Sequence, residues 1–539
     1  MRKTFRVPSA ALLCAVALSA PACSPPPTDP APPPSVAASA SEASEAGVLL
    51  SAPFTEPAVL RAARSEGRTV TVDLAARVGR LELDNGRQAE VLTYNGVYPG
   101  PTIDVQEGDR LVVRFKNELS EPTSVHWHGL KVPADQDDAT ETIAPGASRI
   151  YAFDVPAGSA GTYWYHPHLH GAVATQVARG LFGALRVRAA ADPLPASVGD
   201  TVAVLSDLRV DAAGKAVGPV EAERASGFEG ERILVNGRQA PVLTLRPGET
   251  RRLRIVNAAA SRYYRVAVAG QKLTLVATDG GYIERPTPLD ELLLAPGERA
   301  ELLVRAPERG MLAINALPYD RGASSTPAPA SSGGHGATAS HRRVAQAAHN
   351  DHAQGSGAST GMPMASPMME GHGGNAMMAG MTGTGGQPLM MIRAEGAPAA
   401  DATLPATLAS VPKLAAPRES TRTVTFSENH ATSDFFVNGQ KFDASRIDLT
   451  AKLGATEVWA IENTGHMDHP FHLHGFAFQV LDRNGVAEPY VAWKDTVNVK
   501  PKETVRFAVR YDQFPGLRVF HCHILDHEDL GMMGVFLVE

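Results

Sequence analysis

Ten of the 18 histidines lie in four short motifs, and every motif contains a His-x-His pair. On a β-strand, residues two apart project from the same face, so each pair can present two imidazoles to one point. Neutral imidazoles that converge in this way form metal sites. The motifs are His126-Trp127-His128-Gly129, His166-Pro167-His168, His469-Pro470-Phe471-His472-Leu473-His474, and His521-Cys522-His523 followed by His527. The pattern predicts metal centres shared between the N-terminal and C-terminal parts of the chain.

The fourth motif places a cysteine between two histidines. If this segment is extended, His521 and His523 point to one face of the strand and Cys522 points to the other. Adjacent residues would then serve two different metal centres joined by covalent bonds. Such a connection suits electron transfer between the centres.

The cysteine side of this motif indicates copper. Cys522, with His527 five residues later, Met532 ten residues later and a remote histidine, gives the His₂Cys set with a weak axial thioether that is typical of a blue-copper site. The remote histidine is best assigned to His469. Zinc would bring several cysteines, or a three-residue set with an open water position. A buried free thiol is the alternative for Cys522, and its histidine neighbours argue against it.

The imidazole side offers eight further donors, in four matched pairs. Eight imidazoles suit three copper ions, two with three ligands and one with two. A single pair would be explained as well by a structural or surface role, but four pairs are not. The eight donors are His126, His128, His166, His168, His472, His474, His521 and His523.

The elements that position these donors are expected to be strands. A chain of 539 residues suits about three domains. Its 41 prolines and 49 glycines, with few aromatic residues, favour many turns and an all-β architecture. The net charge of −7 gives no indication of nucleic-acid binding.

A weak internal repeat supports three related β-sandwiches with boundaries near residues 195 and 410. Each copy has an Asn-Gly turn, a tight turn and an alternating strand that ends in asparagine. The Asn-Gly turns are at Asn95, Asn236 and Asn438, and the strands end at Asn117, Asn257 and Asn463. Chance recurrence of short turns in a β protein is the alternative.

The N-terminus predicts export. Residues 1–22 have the basic start and apolar stretch of a signal peptide, and residues 23–64 read as a disordered tether rich in Pro, Ala and Ser. Cys23 is a candidate lipid attachment point, which would make the protein a membrane-tethered lipoprotein of the periplasm. Because Cys14 lies in the leader, Cys522 is the one internal cysteine of the exported chain, and no disulfide framework is possible.

A segment of different composition, residues 320–387, interrupts the second unit. It is rich in Gly, Ser and Ala, and it carries five histidines and many methionines. Strand-like flanks, Met311–Leu317 and Leu389–Arg393, predict a long excursion from a hairpin. Thioethers prefer Cu(I), so the nine methionines between Met362 and Met391 could bind cuprous ions. A linker that binds nothing is the alternative.

The strings HWHG, WYHPHLHG, HPFHLHG and HCHILDHEDLGMM resemble the three-domain multicopper oxidases, a family that includes laccases and bacterial cuprous oxidases. The resemblance covers roughly residues 65–539. It implies an all-β fold of three consecutive cupredoxin-like Greek-key β-sandwich domains, at residues 65–195, 196–410 and 411–539.

The resemblance also implies four copper ions. A type 2 copper would be held by His126 and His472, and a type 3 pair by His128, His166, His168, His474, His521 and His523. A type 1 copper would be held by His469, Cys522, His527 and Met532. Asp137 and Glu528 would act as proton relays.

The expected function is one-electron oxidation of Cu(I) or phenols by a monomer, with dioxygen reduced to water, in the service of copper tolerance. Electrons are expected to enter near an exposed His469 or His527. A general laccase, a manganese oxidase and a non-catalytic copper-sequestering protein are the alternatives.

Overall fold

The computed structural model describes residues 52–60, 67–83, 86–322, 386–429 and 432–539. Within these ranges the chain forms 31 strands, three short α-helices and one 3₁₀-helix. The predicted signal peptide and the histidine-rich and methionine-rich residues 323–385 lie outside the described residues. None of the helices in the described ranges is long and apolar enough to cross a membrane.

The first β-sandwich consists of two four-stranded sheets, ordered β1-β4-β8-β7 and β3-β2-β5-β6. It also contains a 3₁₀-helix, Ala134–Gln136, and helix α1, Val173–Ala178. Its strands are β1 (Val59–Leu60), β2 (Thr69–Glu82), β3 (Gln88–Tyr94), β4 (Gly100–Gln106), β5 (Arg110–Asn117), β6 (Ser148–Asp154), β7 (Gly161–Tyr165) and β8 (Gly183–Arg188).

The second sandwich pairs a seven-stranded sheet, β10-β9-β13-β18-β15-β16 with β11 beside β9, with a five-stranded sheet, β12-β20-β19-β14-β17. Helix α2 is Glu221–Arg224. The strands are β9 (Gly199–Val210), β10 (Ala216–Val217), β11 (Arg232–Val235), β12 (Val242–Leu245), β13 (Thr250–Asn257), β14 (Tyr264–Val268), β15 (Leu273–Thr278), β16 (Gly281–Leu289), β17 (Glu291–Leu294), β18 (Arg299–Arg305), β19 (Met311–Leu317) and β20 (Gln387–Ala394).

The third sandwich has a six-stranded sheet, β22-β21-β24-β29-β26-β27, and a five-stranded sheet, β23-β31-β30-β25-β28. Helix α3 is Leu525–Asp529. The strands are β21 (Arg422–Asn429), β22 (Asp434–Val437), β23 (Leu449–Ala451), β24 (Thr456–Asn463), β25 (His469–Leu473), β26 (Phe478–Arg483), β27 (Val486–Ala487), β28 (Thr496–Val499), β29 (Thr504–Arg510), β30 (Gly516–Cys522) and β31 (Met533–Val538). The predicted all-β fold of three consecutive sandwiches is confirmed.

The predicted repeat corresponds to one turn that is built three times. Asn95, Asn236 and Asn438 all have positive φ, at 57°, 50° and 50°, and each is followed by a glycine that also has positive φ. This is the backbone that a tight Asn-Gly hairpin turn requires. In every copy the asparagine Oδ1 accepts a backbone N–H from the neighbouring strand at 2.7–2.8 Å. The recurrence is therefore structural and not accidental.

A second asparagine recurs at the ends of β5, β13 and β24. In each copy its Nδ2 donates to two backbone carbonyls at 2.7–3.0 Å, and its Oδ1 accepts the N–H two residues on. Asn117 and Asn463 fix the segments that lead to His126 and His469. Asn257 fixes the same segment in the middle sandwich, where a tyrosine pair follows in place of histidine.

The prediction of a disordered tether over residues 23–64 is wrong for residues 52–60. Strand β1 pairs in parallel with Thr102–Ile103 of β4, and Phe54 donates its N–H to the Val242 carbonyl of the second sandwich. Leu60 packs against the first core and Phe54 against the second. These apolar contacts stabilise the segment against the conformational entropy that it loses.

The predicted hairpin around the insertion is present. Strands β19 and β20 pair in antiparallel fashion, with Ala316 opposite Gln387, so the chain leaves and returns at one end of this pair. Met390 and Met391, two of the nine methionines predicted as possible Cu(I) ligands, are buried in β20. Their thioethers pack in the apolar cores of the second sandwich and are not available as ligands.

Candidate metal centres

The four histidine motifs converge although they are distant in sequence. His126 forms a backbone bridge with His166, and His472 of β25 lies opposite His521 of β30. Eight imidazoles from the first and third sandwiches form one buried group, here called the eight-imidazole cluster: His126, His128, His166, His168, His472, His474, His521 and His523. A separate buried group, here called the cysteine centre, consists of His469, Cys522 and His527.

The eight-imidazole cluster divides into smaller donor sets. Within each set the donor atoms lie within 4.8 Å of one another. The sets join the two terminal sandwiches, and the rings of His128 and His472 stack at 3.8 Å, as do those of His126 and His474. The sets are His126 with His128 and His472, His128 with His166 and His523, and His168 with His474 and His521.

The nitrogen spacing fits bound metal ions. A first-row divalent ion binds imidazole at about 2.0–2.1 Å, so two nitrogens on one ion at tetrahedral or trigonal angles are about 3.3–3.6 Å apart. The Nε2 atoms of His126 and His472 are 3.4 Å apart, and His521 Nε2 lies 3.3 Å from His168 Nε2 and 3.2 Å from His474 Nε2. Both ring nitrogens of His523 are buried without a hydrogen-bond partner. The donor set therefore fits metal at these positions.

The ring nitrogens that face away from the cluster are held by acceptors. Nδ1 of His126 and His474 contact Asp137, and Nδ1 of His472 contacts the Asp495 carbonyl. His166 and His521 use the carbonyls of Pro167 and Cys522. Such contacts fix the tautomer and the ring orientation of metal ligands.

Electrostatics keep the cluster in its metal-binding form. Burial lowers the pKa of seven of the eight imidazoles, and that of His168 to about 3; the seven are His128, His166, His168, His472, His474, His521 and His523. The cause is the low-dielectric interior, which disfavours the charged imidazolium form. Neutral imidazole is the form that coordinates a metal, so no proton has to be displaced.

The cysteine centre lies on the opposite face of β30, as the strand geometry predicts. Cys522 Sγ is 3.5 Å from His469 Nδ1 and 3.8 Å from His527 Nδ1, and these two nitrogens are 3.3 Å apart. His521 and His523 belong to the other group. Met532 is buried in the same apolar cluster as Cys522, and its carbonyl accepts the Cys522 N–H at 3.0 Å. Burial raises the pKa of the thiol, and only a bound cation would favour the thiolate.

The expected exposure of His469 and His527 is wrong. Both side chains are completely buried. Glu428 covers Nε2 of His469 with a short hydrogen bond, and the Ala225 carbonyl lies 3.3 Å from Nε2 of His527. Phe435 stacks on His527 at 4.0 Å. The Glu428 side chain is itself completely buried and lies between His469 and the exposed His466.

The two predicted relay acids are buried beside the cluster. Asp137 Oδ1 is 2.7 Å from His126 Nδ1. Burial opposes its ionisation, but the imidazoles of His126 and His474 outweigh burial and hold the pKa of Asp137 well below its ordinary value. Glu528 Oε2 is 3.2 Å from His521 Nδ1, and burial raises the pKa of Glu528 well above its ordinary value. These shifts favour the carboxylate form of Asp137 and the protonated form of Glu528.

Sequence reasoning missed several residues of the site. Asp495 contacts His128 and His472, Glu428 contacts His469, and Trp164 stacks on His166 at 4.1 Å. None of them lies in a metal-ligand spacing. Trp164 stands two residues before His166, and Asp495 precedes β28, which pairs with the histidine strand β25. Proximity to the histidine motifs, in sequence or across paired strands, is the one signal that could have pointed to these residues.

Three cupredoxin-like sandwiches that enclose a Cys/His centre and a shared imidazole cluster define a class of copper-binding oxidoreductases. Sequence models described as multicopper oxidase match residues 76–192, 200–332 and 412–539. The chain belongs to the multicopper oxidase family.

Relatives cover most of the chain. It is 30% identical to multicopper oxidase MmcO of Mycobacterium tuberculosis over 86% of both chains. It is also 30% identical to cell division protein FtsP of Sodalis glossinidius, over 84% of this chain and 86% of that protein. Among solved structures, a multicopper oxidase from Campylobacter jejuni, described as a metallo-oxidase, is 32% identical with a TM-score of 0.74 and covers 90% of this chain and 95% of its own.

Proposed function

We propose that the protein couples one-electron oxidation of Cu(I), and of phenols as further substrates, to reduction of dioxygen to water, and that it serves copper tolerance. The observation that carries this proposal is the position of Cys522 between His521 and His523, on opposite faces of β30. One short covalent segment thereby joins two donor groups of different chemistry.

We propose four copper ions. The cysteine centre and Met532 would hold type 1 copper, and His126 and His472 would hold type 2 copper. The remaining six imidazoles of the eight-imidazole cluster would hold the type 3 pair. When bound, copper would accept single electrons at the cysteine centre and deliver four electrons to dioxygen in the cluster.

The protein's own groups supply protons and exclude water. Glu528, next to both His168 and His521, is the residue suited to deliver a proton, because its pKa is raised by burial. Asp137 is suited to hold His126 and His474 in place, as a carboxylate that accepts hydrogen bonds from their Nδ1 atoms. The cluster is fully buried, which limits the escape of reactive oxygen species.

Cu(I) is the preferred substrate for two reasons. The exposed imidazole of His466, which contacts the buried Glu428 carboxylate that covers His469, is a donor that a metal ion can bind next to the cysteine centre. The insertion with seven methionines between Met362 and Met381 leaves from the second sandwich, although its residues lie outside the described part of the chain. The name metallo-oxidase of the Campylobacter relative agrees with this preference.

Deletion of the insertion tests the substrate. In one variant, residues 323–385 are replaced by a Gly-Ser linker. In a second variant, the insertion keeps its full length and its seven methionines are changed to leucine, which separates the thioethers from the length of the segment. We expect both variants to lose Cu(I)-dependent oxygen uptake and to keep phenol oxidation. Unchanged rates with both substrates would favour a general laccase or a manganese oxidase.

Replacement of Cys522 distinguishes an oxidase from a copper-sequestering protein. Cys522→Ser should abolish the blue absorption, oxygen uptake and copper tolerance of cells that depend on this protein. Retained tolerance without oxidase activity would favour sequestration. The complete donor set also disfavours a purely structural role, because a structural role needs no metal ligands.

We also propose that the protein is exported and acts as a monomer, and that Cys23 can carry a lipid. The leader pattern of residues 1–22 is the support for export. Mass spectrometry of the mature N-terminus would distinguish a free chain that begins near Cys23 from a lipid-modified one. An intact Met1 in the mature protein would contradict export by cleavage.

A further inference from the structure

A buried ion pair connects the middle sandwich to the eight-imidazole cluster. Arg299, the first residue of β18, forms a bidentate contact with Asp495, with Nη1–Oδ1 at 2.7 Å and Nη2–Oδ2 at 2.5 Å. The exposed fractions of the two side chains are 0% and 2%. A fork-to-carboxylate pair of this kind fixes orientation as well as charge.

Arg299 contacts all three sandwiches. Its Nε donates to the Thr162 carbonyl of the first sandwich at 3.1 Å. Nη1 and Nη2 also donate to the carbonyls of Gly297 and Asp279 in the second sandwich, at 3.0 and 3.1 Å. With the two bonds to Asp495 in the third, all five N–H groups of the guanidinium have acceptors. The group cannot shift without the loss of a buried hydrogen bond.

Asp495, held in place by Arg299, contacts two rings of the cluster. Its Oδ1 lies 3.1 Å from His128 Nε2, and its backbone carbonyl accepts from His472 Nδ1 at 2.9 Å. Thr496 Oγ1 donates to the same Oδ1 at 2.9 Å and lies 3.2 Å from His128 Nε2. His128 and His472 come from different sandwiches and belong to one donor set.

The surrounding backbone is shaped for this pair. At Gly129, directly after His128, a Cβ atom would lie 2.3 Å from Arg299 Nη2 and 2.5 Å from Asp495 Oδ2. At Gly297, two residues before Arg299, a Cβ atom would lie 2.8 Å from the His523 ring. Both glycines have positive φ. Two close approaches of backbone to side chain are thus needed to bring Arg299 to the cluster.

We infer that Arg299 is a positioning residue for the copper cluster, which acts through Asp495 to orient His128 and His472. The middle sandwich, whose described residues contribute no imidazole to the cluster, would in this way control the geometry of its ligands. The inference rests on the proposed function, because it assumes that the eight imidazoles bind copper. The competing explanation is a buried ion pair that only joins the sandwiches.

The test compares Arg299→Lys with Arg254→Lys. Arg254 is a matched control because it is also a buried arginine of the second sandwich, and it contacts Thr162 and Glu301 but no histidine of the cluster. Lysine keeps the charge and loses the bidentate fork. Both proteins are loaded with copper and examined by electron paramagnetic resonance, by visible absorption, and by the rate of copper loss to a chelator.

We expect Arg299→Lys to change the paramagnetic signature of the type 2 copper and to speed copper loss from the cluster by about tenfold or more. The blue absorption of the cysteine centre should stay, and Arg254→Lys should match the wild type in all three measurements. If the signature of Arg299→Lys is unchanged, or if both variants change equally, Arg299 is only a structural link and the inference is wrong.

Asp495→Asn keeps the test decisive if Arg299→Lys does not fold. It has nearly the same shape and removes the carboxylate that contacts His128, a proposed type 3 ligand, so an unchanged rate of copper loss from the cluster in this variant would also overturn the inference. Failure of the proposed function looks different. In that case the wild-type protein itself shows no copper signature from the cluster and no oxygen uptake.

Discussion

Gly129→Ala should destabilise the protein far more than an ordinary loss of a turn glycine. Gly129 has a φ of 86°, and alanine in left-handed backbone costs about 1–2 kcal/mol. The added Cβ would also lie 2.3 Å from Arg299 Nη2, so the Arg299–Asp495 pair has to separate. Disruption of a buried ion pair costs about 3–5 kcal/mol.

Gly146→Ala is the matched control, because Gly146 has a φ of 77° and no atom within 4 Å of an added Cβ. The free energy of unfolding of Gly129→Ala should therefore fall below that of Gly146→Ala by about 3–5 kcal/mol. Urea unfolding of the metal-free proteins measures this difference. Tryptophan fluorescence is a suitable probe because Trp127 and Trp164 are buried in the first sandwich and Trp459 in the third.

Equal losses in the two alanine variants would refute the reasoning. They would mean that Arg299 moves aside at little cost, and that its five hydrogen bonds do not fix it. A larger loss of unfolding free energy in Gly129→Ala, with unchanged copper spectra, would show that the Arg299–Asp495 pair stabilises the fold without controlling the ligand geometry. It would support the strain argument and weaken the positioning role of Arg299.

Three further predictions concern the metal centres. Asp137→Asn should weaken copper binding in the eight-imidazole cluster by about 10–100-fold, because Asp137 holds His126 and His474. Copper analysis after dialysis measures this change, and Asp138→Asn, at a neighbouring exposed aspartate, is the control that should lose no copper. Glu428→Gln removes a negative charge beside His469, so the reduction potential of the cysteine centre should rise in a redox titration. An unchanged or lower potential would mean that the Glu428 charge does not act on the centre. Copper loading should raise the thermal midpoint, because four imidazoles from each terminal sandwich share the cluster; calorimetry of His126→Ala should show a smaller gain from copper than the wild type.

The copper donors were predictable because their pattern is local. A His-x-His pair on a strand presents both rings to one side whatever the rest of the fold does, and the alternation at Cys522 follows from the same geometry. The asparagines of the repeat were likewise visible, because each copy uses the same turn and the same strand end. Local geometry therefore accounts for the sandwiches and for the division of His521, Cys522 and His523 between two groups.

The residues that hold the donors were not predictable in the same way. Arg299 and Asp495 are 196 residues apart, and their contact depends on how β18 and the start of β28 meet. Glu428 reaches His469 from β21, a strand with no metal-binding pattern. Such partners are set by packing between sheets, and no spacing in one segment encodes that packing.

Two of the wrong expectations share one cause. The segment 52–60 was assigned to a tether from its composition, and His469 and His527 were expected at the surface from their presumed role. Both were judged without the neighbours that cover them, which are Val242 for the segment and Glu428 for His469.

Burial of the ligand rings at the cysteine centre also limits how substrates can react. Because His469 and His527 have no exposed surface, an electron from a substrate has to pass a covering group. At His469 that group is an ionised carboxylate next to an exposed imidazole, and at His527 it is a backbone carbonyl. Electron entry at either ring therefore requires transfer across a buried covering group and not direct contact with a ligand ring.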